Sequence, residues 1–192
     1  MMNKHCSGKE GRLIVASGPS GVGKGTICKE LLVRNSNLAL SISTTTRPPR
    51  EGDVEGVNYY FKTVDEFKRH IDSGDFLEWA VYNENYYGTG KQAVAETLAK
   101  GYDVLLEIDV QGALKVKEAF PEAVLIFIVP PSKAALVERL VGRGTESLNE
   151  IERRVMEADR ELALRDKYDY VVVNDILEDS IEVIENLIRR VV

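Results

Sequence analysis

A chain of 192 residues, 44% hydrophobic and 29% charged, can bury one core with room for a smaller inserted lobe, but not a string of domains. Its net charge of −6 excludes a general electrostatic grip on nucleic acid, so any anionic ligand must be held by local clusters of arginine and backbone N–H groups. No apolar run approaches the ~20 residues of a membrane span, the start lacks a secretory apolar stretch, and Cys6 and Cys28 are too few for a disulfide framework or a zinc site, so a cytoplasmic protein is expected.

Residues 1–11 are polar and are expected to be flexible. Arg12–Ser17 (RLIVAS) is a short apolar run ending in glycines, followed by a helical pattern through Ile27, Leu31 and Leu32, which predicts strand, tight loop, helix. Leu38–Ser43 (LALSIS) alternates apolar and polar residues as a half-exposed strand does. VNYYF and FLEWAVY add aromatic-rich segments around a helix whose entry, Thr63-x-x-Glu66, matches a capping box. These segments predict a small mixed or antiparallel lobe over about 38–90, inserted into a core made of 12–37 and 91–192.

In the core, Asp103–Asp109, Ala123–Val129 and Tyr168–Asn174 are runs rich in Val, Ile and Leu, of the kind buried on both faces of a parallel sheet. Helical stretches alternate with them: Lys91–Lys100 stopped by Gly101, Gln111–Phe120 stopped by Pro121, and Lys133–Arg143 entered through Ser132. A long helix from Ser147 carries Ile151, Val155, Ala158 and Leu162 on one face. The alternation of strand and helix predicts an α/β fold, a parallel sheet flanked by helices.

The strongest motif is Gly18–Thr26 (GPSGVGKGT), placed between the first strand and the first helix as a phosphate loop requires. Gly18, Gly21 and Gly23, with Pro19, Ser20 and Val22 between them, let backbone N–H groups face phosphate oxygens, the helix N-terminus adds its dipole, and Lys24 adds a formal charge. A glycine turn without a ligand is the plainer alternative. Gly25 stands where the pattern has Ser or Thr, and Thr26 follows one place later. A bound Mg²⁺ is therefore expected to be held mainly by phosphates and water, with Thr26 and Glu107 as the candidate protein ligands.

The acceptor of the phosphate is argued from the inserted lobe. Arg47 and Arg50 flank Pro48 and Pro49, whose fixed φ stiffens the turn, and two guanidinium forks there suit a phosphate. Tyr59 adds a phenol nearby. Glu78 sits beside Trp79 among apolar neighbours, where a carboxylate needs partners; guanine N1–H and its 2-amino group are two adjacent donors, with Ser43 or Thr89 left to serve O6. Read singly, the arginines also fit a solvated basic loop, and Glu78 a carboxylate at a strand edge.

Ser43 through Arg50, Glu78-Trp79, Asn85–Thr89 (NYYGT) and Glu107–Gly112 (EIDVQG) occur in the order of the guanylate kinase pattern, and the chain from about Arg12 onward resembles that family. The resemblance implies a P-loop kinase that uses ATP·Mg²⁺ to phosphorylate GMP or dGMP. By position, Ser43, Glu78, Thr89 and Asp109 would bind the guanine, and Arg47, Arg50, Tyr59 and Tyr87 the GMP phosphate. ATP would lie on Gly18–Thr26 with Arg139 and Asn174. A helical lid over about 138–156 would bring Arg139, Arg143 and Arg154 to the phosphates, the catalytic set being Lys24, Arg47, Arg143 and Arg154. Thr89 stands where many members have Ser, and Glu107 where many have Asp. Rival readings are a nucleoside monophosphate kinase of other base specificity, since GKGT also resembles adenylate kinase loops, a non-catalytic binding module of the same fold, and a regulatory GTPase. No nucleic-acid or membrane partner is expected, and the sequence leaves monomer and homo-oligomer open.

Overall fold

The computed structural model describes residues 10–142 and 147–190. Five strands form a parallel sheet flanked by helices, in the order β2-β7-β1-β8-β9. They are β1 (Leu13–Ser17), β2 (Leu38–Leu40), β7 (Asp103–Glu107), β8 (Val124–Val129) and β9 (Tyr170–Val173). The Val/Ile/Leu runs build the middle of this sheet because side chains on both faces are covered: all five residues of β1 are buried, as are Val104–Leu106 and Leu125–Val129. A second, mixed sheet has the order β4-β3-β6-β5, with β3 (Thr44–Thr45), β4 (Tyr60–Phe61), β5 (Phe76–Tyr82) and β6 (Asn85–Gly90).

One expectation is revised. Leu38–Leu40 is a strand of the parallel sheet, paired in parallel with Asp103–Leu105, so the lobe's own sheet begins at β3 and not at Leu38. The alternation that suggested a half-exposed lobe strand reflects a sheet edge, since β2 has only one neighbour and Ala39 and Leu40 stay half-buried. The second sheet is mixed, as one of the two expected forms: β3 runs parallel to β4 and antiparallel to β6.

By contact pattern the chain forms two compact units. One comprises the stretch up to Ile14, Asn37–Leu106 and Leu114–Ala123; the other comprises Val15–Ser36, Glu107–Ala113 and Val124 onward. In the first, α2 (Val64–Asp72) begins where the sequence places it. Thr63 Oγ1 accepts from Glu66 N–H at 3.2 Å while the Glu66 carboxylate accepts from Thr63 N–H at 2.8 Å, a reciprocal cap that satisfies two otherwise orphaned donors. Its Phe67 is fully buried and stacks on Phe76 at 4.4 Å, fixing the helix on the hairpin β5–β6 at a gain of about 2 kcal/mol for the buried ring. The hairpin turns on Asn83 and Glu84, both with positive φ as a two-residue turn needs. At the unit's other end Asp103 accepts from the Arg12 backbone N–H at 2.8 Å and pairs with its guanidinium, tying the entry of β1 to that of β7.

The second unit holds α1 (Lys24–Arg34), α5 (Lys133–Gly142), α6 (Leu148–Leu162) and α7 (Leu177–Arg190). Arg34 grips Glu178 with both terminal nitrogens, at 2.6 and 2.8 Å, and Asn35 donates to Glu185 at 3.0 Å, so α1 lies against α7. Ser147 and Glu150 form a second reciprocal cap at the start of α6. The expected lid spans α5 and α6, and Arg143 lies outside the described residues. No described helix is long and apolar enough to cross a membrane.

Candidate active site

The loop between β1 and α1 turns sharply because Gly18 has φ +143°, and a Cβ there would sit 2.1 Å from the Ile128 carbonyl oxygen; no other residue fits against β8 so closely. Lys24 begins α1 and folds its ammonium back over the loop, donating to the carbonyls of Gly18 and, at 3.0 Å, Pro19. Gly21, Val22 and Gly23 complete the turn, with Gly23 as N-cap and no side chain covering the helix end, so the N-terminal dipole and free N–H groups remain for an anion. Gly25 and Thr26 are exposed in the first turn.

Two more residues of the expected ATP set, Asn174 and Arg139, and one of the expected catalytic arginines, Arg154, come to this loop. Asn174 is buried just after β9, where its amide donates to Val22 O at 2.7 Å and its carbonyl accepts from Ser180 at 3.2 Å. Arg139, near the end of α5, donates to Asn174 O at 2.8 Å and Val22 O at 3.5 Å. Arg154 on α6 donates to Ser20 Oγ at 2.8 Å. Asn174 and Arg139 thus brace the loop backbone, and Arg154 reaches its tip.

Charge around Lys24 is carried by residues from three elements. Burial pushes its pKa down, opposed first by Glu107 at the end of β7, then by Glu161 on α6, with Cys28 and Asp109 adding less. Desolvation by the protein around it pushes the Glu107 carboxyl up and Lys24 pulls it back, although the residue as a whole is exposed. Glu161, which no motif marks, is pushed up to about 7 by burial, again opposed by Lys24. A carboxyl that holds its proton more tightly folded than unfolded costs stability as pH rises from about 4.5 to about 7, and the cost persists above. Glu161→Gln is therefore expected to stabilise the ligand-free chain at pH 8 by up to about 3 kcal/mol and to gain almost nothing near pH 4.5. Thermal melts of both proteins at the two pH values check this. Cys28 is buried in α1 and burial raises its thiol pKa, which makes it a packing residue.

Asp109 does not end the strand. It follows β7 and caps α4 (Val110–Ala119), accepting from Gly112 N–H at 2.7 Å through its side chain. It belongs to the second unit, whereas the other residues expected to hold GMP belong to the first.

In the first unit, Glu78 and Thr89 are direct cross-strand partners of β5 and β6. Both are buried, and the Thr89 hydroxyl donates to Glu78 Oε1 at 2.6 Å. An irregularity in the pairing between Phe76 and Glu78 re-aims the strand just before the carboxylate. Trp79 beside it is covered by Lys115, whose ammonium stands 4.9 Å from the ring centroid. Ser43 precedes β3, and its carbonyl accepts from Tyr60 N–H at 2.9 Å.

The arginine turn is held by a residue that sequence reading passed over. Asp53 Oδ2 accepts from Arg47 Nη2 at 2.8 Å and from the Arg50 backbone N–H at 2.8 Å, and those bonds hold its carboxyl below the usual range. Its only sequence signal was a carboxylate three residues after Arg50, within the same Pro-Pro turn. Arg47 lies over the Tyr59 ring at 5.3 Å, and Tyr59 meets Tyr87 edge-on at 6.0 Å, so Arg47, Tyr59 and Tyr87 form one cluster. Arg50 stays exposed at its edge. Among the described residues no three His, Cys, Asp or Glu side chains are grouped to hold a metal ion.

The family model described as guanylate kinase matches residues 10–191. A guanylate kinase of Caldanaerobacter subterraneus subsp. tengcongensis is 56% identical over 94% of this chain and 87% of its own length, and one of Halalkalibacterium halodurans is 51% identical over 94% and 88%. Among solved structures, guanylate kinase from Anaplasma phagocytophilum superposes with a TM-score of 0.76 at 35% identity, covering 95% of this chain and 86% of that one. A gluconokinase from Sinorhizobium meliloti, at TM-score 0.54 and 16% identity over 95% and 94%, shares the fold alone. With a family model matching nearly the whole described chain and relatives at 50% identity and above, the chain belongs to the guanylate kinase family of enzymes.

Proposed function

We propose that the chain transfers the γ-phosphate of ATP to GMP, and to dGMP, by direct in-line displacement without a covalent enzyme intermediate, in purine nucleotide metabolism and GMP recycling in the cytoplasm. The observation that carries the acceptor's identity is the buried Glu78 carboxylate fixed by Thr89. With one oxygen taking the threonine proton, the carboxylate still has lone pairs for two adjacent donors, which guanine N1–H and N2–H supply and adenine does not. Because a hydroxyl has one proton and Thr89 gives it to Glu78, Ser43 is the residue left to donate to guanine O6. Asp109, committed to capping α4, adds to base recognition only if that cap is shared.

Arg47, Arg50, Tyr59 and Tyr87 hold the acceptor phosphate in this reading, with Asp53 aligning Arg47. ATP lies on Gly18–Thr26, its outer phosphates against Lys24, and Arg139, Arg143 and Arg154 close over the transferring group. Such catalysis is positioning plus cationic stabilisation, with water excluded so that transfer outruns hydrolysis. Mg²⁺ arriving with ATP would neutralise charge on the phosphates; oxygen donors suit it, and Glu107 and Thr26 are the residues here that fit its water shell. A phosphate-acceptor assay tests the reading, with ADP formed from ATP when GMP or dGMP is offered.

A further inference from the structure

Two departures of this sequence meet at one place. Gly25 occupies the position of a phosphate-loop hydroxyl, and Glu107 stands where, by the resemblance, many members have the shorter Asp. Gly25 is an ordinary residue of α1 with no positive φ, so backbone conformation does not demand a glycine. Space does. A Cβ built on it would find as its three nearest neighbours the atoms of one carboxylate: Glu107 Oε1 at 3.3 Å, Oε2 at 3.7 Å and Cδ at 3.9 Å. The first of these is tighter than an ordinary van der Waals contact, and a serine hydroxyl beyond that Cβ would crowd the carboxylate further.

We propose that Gly25 and Glu107 work as a coupled pair, in which the missing side chain lets a carboxylate reach over the first turn of α1 and serve the cation-bearing nucleotide from the place a loop serine or threonine would hold. This rests on the reading of the chain as an ATP phosphotransferase. Glu107 is a positioning residue: it is the first carboxylate to oppose the desolvation of Lys24, and it presents oxygens to the water shell of the ion that ATP brings. Glu107→Asp withdraws the carboxylate by one methylene and leaves the site without either acceptor. Gly25→Ser crowds Glu107. Gly25→Ser with Glu107→Asp restores an acceptor and relieves the crowding.

The test is a double-mutant cycle read by calorimetric ATP affinity without acceptor, in excess Mg²⁺ and again in EDTA. In Mg²⁺ each single variant should bind ATP about fivefold or more weakly, and the double variant within about twofold of wild type, a coupling usual for contacting residues. In EDTA all four proteins should agree within about twofold. Glu107→Gln keeps length and shape but not charge, and should lose Mg²⁺-dependent affinity as Glu107→Asp does, with thermal melts confirming that it folds. Losses that simply multiply in the double variant, wild-type affinity in Glu107→Gln, or equal coupling in EDTA would each overturn the pairing, the last because steric repacking alone would explain it. Wild-type transfer to GMP, measured in the same preparation, separates failure of this pair from failure of the functional reading.

Discussion

Lys24→Ala should lower turnover with ATP and GMP by at least about 100-fold, the scale of losing a preorganised electrostatic stabiliser. Two facts make the expected loss this large. The ammonium is aimed by the Gly18 and Pro19 carbonyls into the loop that receives the phosphates, so its position is set before substrate binds. Removing it also takes away the cation that pulls the Glu107 and Glu161 carboxyls down, so the loop keeps two acids and loses the base that meets the outer phosphates. The variant should therefore show a raised KM for ATP as well as reduced kcat, measured by steady-state kinetics on protein whose thermal melt is cooperative. Turnover within a few fold of wild type would show that the loop lysine is not the stabiliser assigned here.

Glu78→Gln should weaken GMP binding by about 10-fold to 100-fold, the range for losing hydrogen bonds to a charged acceptor. The substitution keeps the side-chain shape, and the amide oxygen can still accept from Thr89. What changes is the second atom, where a carboxylate oxygen that accepts becomes an NH₂ that donates, opposed to a guanine donor. A site built around a buried acceptor discriminates strongly because the wrong partner leaves a polar group unpaired. The preference for GMP over AMP should narrow accordingly. Titration calorimetry with both nucleotides reads both effects, and equal GMP affinity in the two proteins would remove Glu78 from base recognition.

The parts of this site legible in the sequence were those whose chemistry is local in the chain. The phosphate loop is a spacing of glycines and a lysine between a strand and a helix, and the Thr63–Glu66 cap is a four-residue pattern; both stand where they were expected. Leu38–Leu40 misled because an edge strand of a parallel sheet shows the same partial exposure as a strand of a small lobe, and only its pairing with β7 decides between them. The Thr89–Glu78 bond depends on the register of β5 against β6, which the FLEWAVY and NYYGT segments do not reveal separately. Glu161 and Asp53 act through contacts made by folding, one from a distant helix and one across a turn. Asp109 caps α4 through one carboxylate oxygen, a contact set by where β7 ends and α4 begins, which the run Asp103–Asp109 does not mark. Gly25 and Glu107, noticed apart as departures, become one feature only when the space between them is measured.

The central claim is that ATP's terminal phosphate goes to a guanine monophosphate, and the most direct measurement is ADP release from ATP alone and then with GMP, dGMP, AMP, UMP and CMP offered in turn. The account predicts negligible release without acceptor, rapid release with GMP and dGMP, and little with the other three. Release without any acceptor, or none with GMP, would contradict it.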